Sequence, residues 1–401
     1  MHTARWSLSF FAVFAVYGVV APWLPVVIRG MGYGPALIGL LLGIYEVAGV
    51  FGPFASSRLV ERLGRRRPGY YRPVLFIAIL LMGLSFPALL SFRTPLLTAL
   101  LLALFATGLR SPTPLLDAAA SLDEGARARY GLIRTIGTLG FLAFALLLQF
   151  TPVYRPVEGR TDFTANILFW LLVALGLCVA SFILLPGQGK KREEVKTDSF
   201  LPQQAIPGVF TLGLLFIGLG RLAMAPVNSF VSLWVTEELA WNAVPLMWAL
   251  SAASEVPFIL FSAPLLRRFG TRRLLVAASL GLALRLALYA LFPTRAGAIA
   301  GQLLHSASFG LFHPAAVAFV ATWVPPALRA RGMVMYLSLG VGLPGFLGSS
   351  AGGLLVEHFG YRTLFLAFIP CALASALLFT VFARYFEGGS VGKNGLLTAK
   401  Q

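Results

Sequence analysis

The chain has 401 residues, 58% of them hydrophobic and only 12% charged, with 32 Lys and Arg against 15 Asp and Glu. A soluble chain carries about 25% charged residues, so a water-soluble globular domain is excluded. A formal charge of +17 would suggest nucleic acid in a soluble protein, but here the placement of the basic residues has a topological cause, and no nucleic-acid partner is expected.

Apolar segments of about 20 residues, each long enough to cross a ~30 Å hydrocarbon core as a helix, recur along the whole chain. Twelve are predicted, at 6–28, 36–60, 73–92, 95–121, 132–152, 164–186, 208–236, 243–266, 273–293, 296–322, 331–356 and 361–385. Several contain Pro or Gly, which membrane helices tolerate because neighbouring helices re-satisfy the freed backbone groups. The first run has full spanning length and no small-residue cleavage site, so it reads as a span and not a removable signal. Spans one to six form an N-terminal half, 1–186. The polar, mixed-charge stretch 187–207 reads as a cytoplasmic linker, spans seven to twelve form a C-terminal half, 208–386, and 387–401 is a cytoplasmic tail. Cys178 and Cys371 fall inside spans six and twelve and read as packing residues, with no metal site implied.

ERLGRRR at 61–67 returns as RRFGTRR at 267–273, each time between two apolar runs. A glycine ringed by arginines there is a tight turn held in water, and its recurrence about half a chain later marks two copies of one membrane-embedded unit. Glu61, Gly64, Arg65, Arg66 and Gly270 are the predicted gate-loop residues. With both termini inside, the outer segments hold only Arg29, Arg93, Arg155, Arg160, Arg295 and Arg362, while the remaining loop Lys and Arg fall on the cytoplasmic side. That asymmetry is the positive-inside pattern, and it places the chain as a multi-pass protein of the cytoplasmic (inner) membrane with both termini cytoplasmic. Gly39 and Gly43 in span two, and Gly348 and Gly352 in span eleven, put smooth patches on helix faces. They serve either as ordinary packing seams or as a sliding surface.

Six plus six helices with a Gly-Arg loop after spans two and eight resemble the major facilitator superfamily. The loop SRLVERLGRR at 57–66 is similar to that family's signature, with Ser57 for its first Gly and Glu61 for its Asp; in the second copy Arg267 replaces the acid. The segments RWSLSFFAVFAVYGVVAPWLPVVI, SPTPLLDAAA followed by YGLIRTIGTLGF, and LLHSASFGLFHPAA are similar to phenylpropionate-permease-like and lactose-permease-like proton symporters. The resemblance implies an all-α membrane protein with two pseudo-symmetric six-helix halves and transport by alternating access. Asp117 and Arg134 match the spacing of the lactose-type substrate-binding carboxylate and arginine, and Arg285 and His305 fall in its coupling region. The chain also departs from these relatives. Met224, Val227 and Asn228 replace the span-seven His and Tyr of the phenylpropionate type, Ser308 stands where the lactose type has a carboxylate, and Phe141 stands for its stacking Trp.

An ionisable side chain at bilayer depth costs about 2.5–3.5 kcal/mol even on lenient insertion scales, so those present are candidates for function. They are Glu46, Arg110, Asp117, Arg134, Arg221, Glu255, Arg285, His305 and His313. Asp117 and Arg134 flank the loop between spans four and five, and read either as a substrate-binding pair or as an ion pair joining two helices. Arg110 lies two helical turns before Asp117 on the same face, unless Pro112 and Pro114 turn that face aside. Glu255 in span eight suits a proton carrier beside Arg285, the alternative being a plain Glu255–Arg285 salt bridge. His305 and His313 are eight residues apart, about 80° around an α-helix, so one lining a cavity does not place the other there. Glu46 is a secondary proton candidate. Arg221 is placed to hold an anionic group, with Tyr17, Phe141 and Asn228 completing the predicted substrate-binding set.

The reading is a secondary transporter moving a small polar organic solute (an organic acid, sugar or nucleoside) together with a proton. It acts as a monomer in the lipid bilayer and needs no cofactor or metal. A proton-coupled exporter of drugs or lipids is the alternative within the same fold, but span five has Arg134 and no Gly-Pro motif of the kind such exporters show. The absence of GxxxxGK[ST] argues against ATP-driven transport, and the absence of HExxH, GxSxG or paired-Cys motifs argues against a membrane-embedded enzyme. A receptor or scaffold would leave buried charges in both halves without a purpose.

Overall fold

The computed structural model describes residues 2–64, 71–151, 162–185, 206–325 and 328–389. Helices occupy each of the twelve predicted segments, and no strand is present among the described residues. In chain order they are α1 (His2–Val20, continued by Leu24–Gly30), α2 (Pro35–Gly64), α3 (Tyr71–Ser91), α4 (Pro95–Arg110, continued by Pro112–Ser121), α5 (Tyr130–Phe150) and α6 (Asp162–Leu184). Next come α7 (Gly208–Leu233, continued by Trp234–Glu238) and α8 (Val244–Leu260). The stretch Ser262–Leu291 breaks at Gly270, and its longer part, 271–291, is α9. A tenth element, α10, runs as Arg295–Leu303, a wide π turn at Ser306–Gly310, and Phe312–Trp323. Arg329–Met335 leads through a second π turn, Tyr336–Gly342, into Leu343–Val381. That last stretch breaks at Gly360, leaving α11 before it and α12 after it.

Among the described residues, ten helical stretches are long and apolar enough to span a bilayer. The difference from twelve has two causes. At 17 residues, α8 ends short of spanning length, and α11 and α12 follow one another directly, with only the non-helical Gly360 between them, so they are counted together. Gly360 has φ +77° and Gly270 has φ +75°, in the left-handed region that glycine adopts without steric cost. The tight turn expected at Gly270 is therefore present, flanked by exposed Arg267, Arg268 and Phe269.

Contacts among the described residues separate into two compact units, one within Met1–Tyr33, Ile44–Pro202 and Ala243–Ala249, the other within Gly34–Gly43, Gln203–Asn242 and Leu250–Gln401. In the first, α1 packs along α5 and α6, and α3 along α4. Gly18 and Gly140 permit this, since a Cβ on either would strike the backbone carbonyl of Phe141 or Phe11 respectively. Trp6, Phe10, Phe86, Phe105 and Phe182 fill its interior.

In the second unit α7 packs along α11 and α12, around a cluster of Phe210, Phe216, Phe319, Phe379 and Phe386. Of the small-residue patches, Gly348 abuts Leu222 and Ala225 of α7, whereas Gly39 abuts Ser349 and Gly353. Beside Gly39, the backbone N–H of Ala36 donates to Glu357 Oε2 at 2.8 Å. The outer faces are apolar: Leu96 is 85% exposed and Phe150 77%, an arrangement stable only where hydrocarbon is the solvent.

Candidate functional site

The predicted intramembrane charges form two separate groups, one in each unit. In the first unit Glu46 on α2 and Arg110 on α4 form an ion pair of 2.9 Å, mostly shielded, with side chains 15% and 31% exposed. The guanidinium also lies 5.4 Å from the centroid of the Tyr45 ring. Gly49 makes room for its stem: a Cβ there would sit 3.0 Å from Arg110 Cγ.

The helix then breaks. Ser111 separates Pro95–Arg110 from Pro112–Ser121, because Pro112 and Pro114 lack the N–H that would continue the ladder. Beside the break, the Tyr17 hydroxyl donates to the Leu109 carbonyl at 3.0 Å.

Asp117 lies beyond this interruption, in the continuation of α4, and joins a different ion pair from that of Arg110. Arg134 Nη1 is 3.6 Å from Asp117 Oδ1, and the Tyr130 hydroxyl donates to the same oxygen at 2.6 Å. Arg134 also packs over Phe14 and Phe10, 5.0 and 5.5 Å from their ring centroids. Phe141 lies on α5 against Gly18.

In the second unit Glu255, His305 and Arg285 converge from α8, α10 and α9. His305 Nε2 contacts Glu255 Oε1, and His305 Nδ1 lies 2.6 Å from Arg285 Nη1. A direct Glu255–Arg285 bridge, the alternative expected from sequence, is not formed, because the imidazole stands between the two. Arginine can only donate, so Nδ1 must accept, and the His305 proton sits on Nε2, facing the carboxylate.

Arg285 is 1% exposed and its other donors are spent on neutral oxygens. Nε donates to Tyr289 OH at 3.0 Å, Nη1 to Ser308 Oγ at 3.4 Å, and Nη2 to Gln302 Oε1. Gln302 Oε1 also accepts from Ser251 Oγ at 2.6 Å.

The angular separation expected between His305 and His313 is also corrected. The π turn at Ser306–Gly310, closed by Leu311 N–H donating five residues back to Ser306 O at 3.2 Å, absorbs one extra residue per turn. His305, Phe309 and His313 therefore stack in one column, with ring spacings of 5.2 and 5.7 Å and planes within 9° and 10° of parallel. Arg221 of α7 lies 5.8 Å from the Phe309 centroid. Asn228 is half-buried on the same helix. A cavity of about 620 Å³, lined by Thr3, Ser7, Phe11, Arg129 and Ile136 among others, contains none of these groups.

The family model described as MFS_1 like family matches residues 4–367. The chain belongs to that family. It is a multi-pass secondary transporter of the major facilitator superfamily and not an enzyme. It is similar to a maltose permease of Geobacillus stearothermophilus, 24% identical over 94% of this chain and 93% of that one. Similarity extends to a probable 3-phenylpropionic acid transporter of Escherichia coli, 26% identical over 80% of this chain and 83% of that one. The fold matches a crystal structure of the nucleoside transporter NupG, TM-score 0.75 at 18% identity, covering 96% of this chain and 99% of that chain.

In this transporter the gate-loop residues divide. Glu61 is exposed near the end of α2 and Gly64 is its last residue; Arg65 and Arg66 lie outside the described residues. Gln302, Tyr289, Ser251, Tyr130 and Phe309 are site residues that were not expected from sequence. A signal existed for some of them: Tyr289 is one turn after Arg285, and Gln302 one turn before His305. None carries a charge, so a search for costly intramembrane charges passes over them.

Proposed function

We propose that this transporter is a proton symporter for a small polar organic solute, working by alternating access in the cytoplasmic membrane as a monomer with both termini cytoplasmic. The observation that carries the reading is His305, held between a carboxylate and a guanidinium. A proton taken up at Nδ1 converts that nitrogen from acceptor to donor, and Arg285 can then no longer donate to it. A proton taken up by Glu255 instead neutralises the carboxylate that Nε2–H faces and weakens that contact. Either event rearranges a buried network in which Arg285 also holds Gln302, Tyr289 and Ser308, so protonation is tied to side-chain position on three helices.

The substrate-binding residues in this reading are Asp117, Arg134, Arg110, Arg221, Tyr17, Phe141 and Asn228. Coupling rests on Glu255, Arg285 and His305, with His313 and Glu46 as further proton acceptors. The similar proteins are named for a sugar, an aromatic acid and nucleosides, which supports the same broad solute range. The test is reconstitution into liposomes with an imposed pH gradient and labelled maltose, uridine and 3-phenylpropanoate. Uptake that rises with the inward proton gradient and alkalinises the exterior supports symport. Gradient-independent uptake, or solute movement against the proton flow, overturns it and in the latter case favours export.

A further inference from the structure

The intramembrane charges do not balance. The guanidiniums are Arg110, Arg134, Arg221 and Arg285, and the carboxylates are Glu46, Asp117 and Glu255. Glu46 is paired with Arg110, Asp117 with Arg134, and Glu255 reaches Arg285 through His305. His305 is neutral in this arrangement, because its Nδ1 accepts. Arg221 is the remaining cation. Its Nε is buried without a hydrogen-bond partner, and among the described residues its contact is the Phe309 ring.

A lone guanidinium at this depth is costly. Arg221 lies near the middle of the apolar run Gly208–Glu238, half-buried with its Nε shielded, where a charge without a counter-charge is desolvated at a cost that one cation–π contact only partly offsets. Asn228 stands seven residues further along the same helix, hence on the same face about 10 Å away. It is half-buried and makes no hydrogen bond among the described residues. One helix face thus offers an uncompensated cation and an unused amide.

We infer that the transported solute carries a single carboxylate and that Arg221 receives it, with Asn228 taking a second polar group of the same solute. This rests on the transport reading and narrows its solute range to monocarboxylic acids. Planar guanidinium matches carboxylate in a two-bond fork, and the fourth cation gains its counter-charge only while the solute is bound. A neutral sugar or nucleoside would leave Arg221 uncompensated throughout the cycle.

The experiment uses the purified full-length protein and isosteric acid–amide pairs. These are benzoate with benzamide and 3-phenylpropanoate with 3-phenylpropanamide, alongside maltose and uridine, read by thermal shift and by proteoliposome uptake. Acids are expected to stabilise the protein and be taken up, and their amides to bind at least about tenfold more weakly, a difference of about 1.4 kcal/mol. Arg221→Gln is expected to abolish the difference between acid and amide, and Arg221→Lys to retain part of it. The unliganded melting temperature of each variant separates lost binding from lost folding.

Equal binding of amide and acid, an undiminished acid preference in folded Arg221→Gln, or no response to any acid overturns the inference. A proton-coupled response to maltose or uridine alone would overturn it while leaving symport standing. Acid uptake without proton flux would uphold it and remove symport.

Discussion

The imidazole of His305 and the ring of Phe309 lie 5.2 Å apart and 9° from parallel. Residues four apart are neighbours on one face of any helix, and with the π turn at Ser306–Gly310 the column extends to His313. The cluster around Glu255 and the unpaired Arg221 therefore lie on one chain of contacts, His305 touching Glu255 and Phe309 touching Arg221.

Glu255→Gln is expected to separate solute movement from proton movement. The amide retains the shape and still accepts from His305 Nε2–H, but no longer takes up a proton. Counterflow exchange in proteoliposomes should persist while accumulation driven by the pH gradient falls to background. Unchanged gradient-driven accumulation would remove Glu255 from coupling.

For Asp117→Asn and Arg134→Ala the expected outcome is loss of uptake with folding retained. Both side chains are about one-third exposed, so losing their attraction costs little stability, and Tyr130 still has an oxygen to donate to in the Asn variant. Uptake assays paired with thermal unfolding check this; normal uptake by either variant would assign the pair a structural role only.

Glu46 and Arg110 are more shielded, and removing one partner strands the other. Glu46→Gln alone should destabilise by about 3–5 kcal/mol, and the double change Glu46→Gln with Arg110→Gln by much less. A double-mutant cycle on the unfolding transition measures the difference. Additive losses would show that the Glu46–Arg110 pair contributes no coupling.

Gly39→Leu should be damaging, because Gly39 is buried where two helices approach closely. Even a Cβ at that position meets the Ser349 carbonyl and Gly353, so the added side chain must displace backbone, at about 1–3 kcal/mol. A lowered melting temperature with reduced uptake is expected. A neutral result would show that the Gly39–Gly353 approach does not persist in the membrane.

How much of this was legible beforehand follows from the physical signals involved. Spanning helices are written in runs of about 20 apolar residues because hydrocarbon offers the backbone no partner, so all twelve segments could be placed. Breaks were legible only where a residue type forces them, as at Pro112 and Gly270. The π turn has no such marker: Ser-Ala-Ser-Phe-Gly contains nothing that forbids an ordinary α-turn, and the register shift that aligns His305 with His313 follows from packing against α8, where Gly310 meets Glu255 and Phe258.

Composition, apolar periodicity and the placement of Arg by themselves determined a twelve-helix membrane protein and a short roster of costly charges, because each of these is a local property of the chain in its solvent. Only the tertiary structure decided which charge meets which. Arg110 pairs with Glu46 and Asp117 with Arg134, His305 stands between Glu255 and Arg285, and Arg221 is left with an aromatic ring. Pairing depends on which helices neighbour one another and how each is rotated, and residues distant along the chain carry no mark of that.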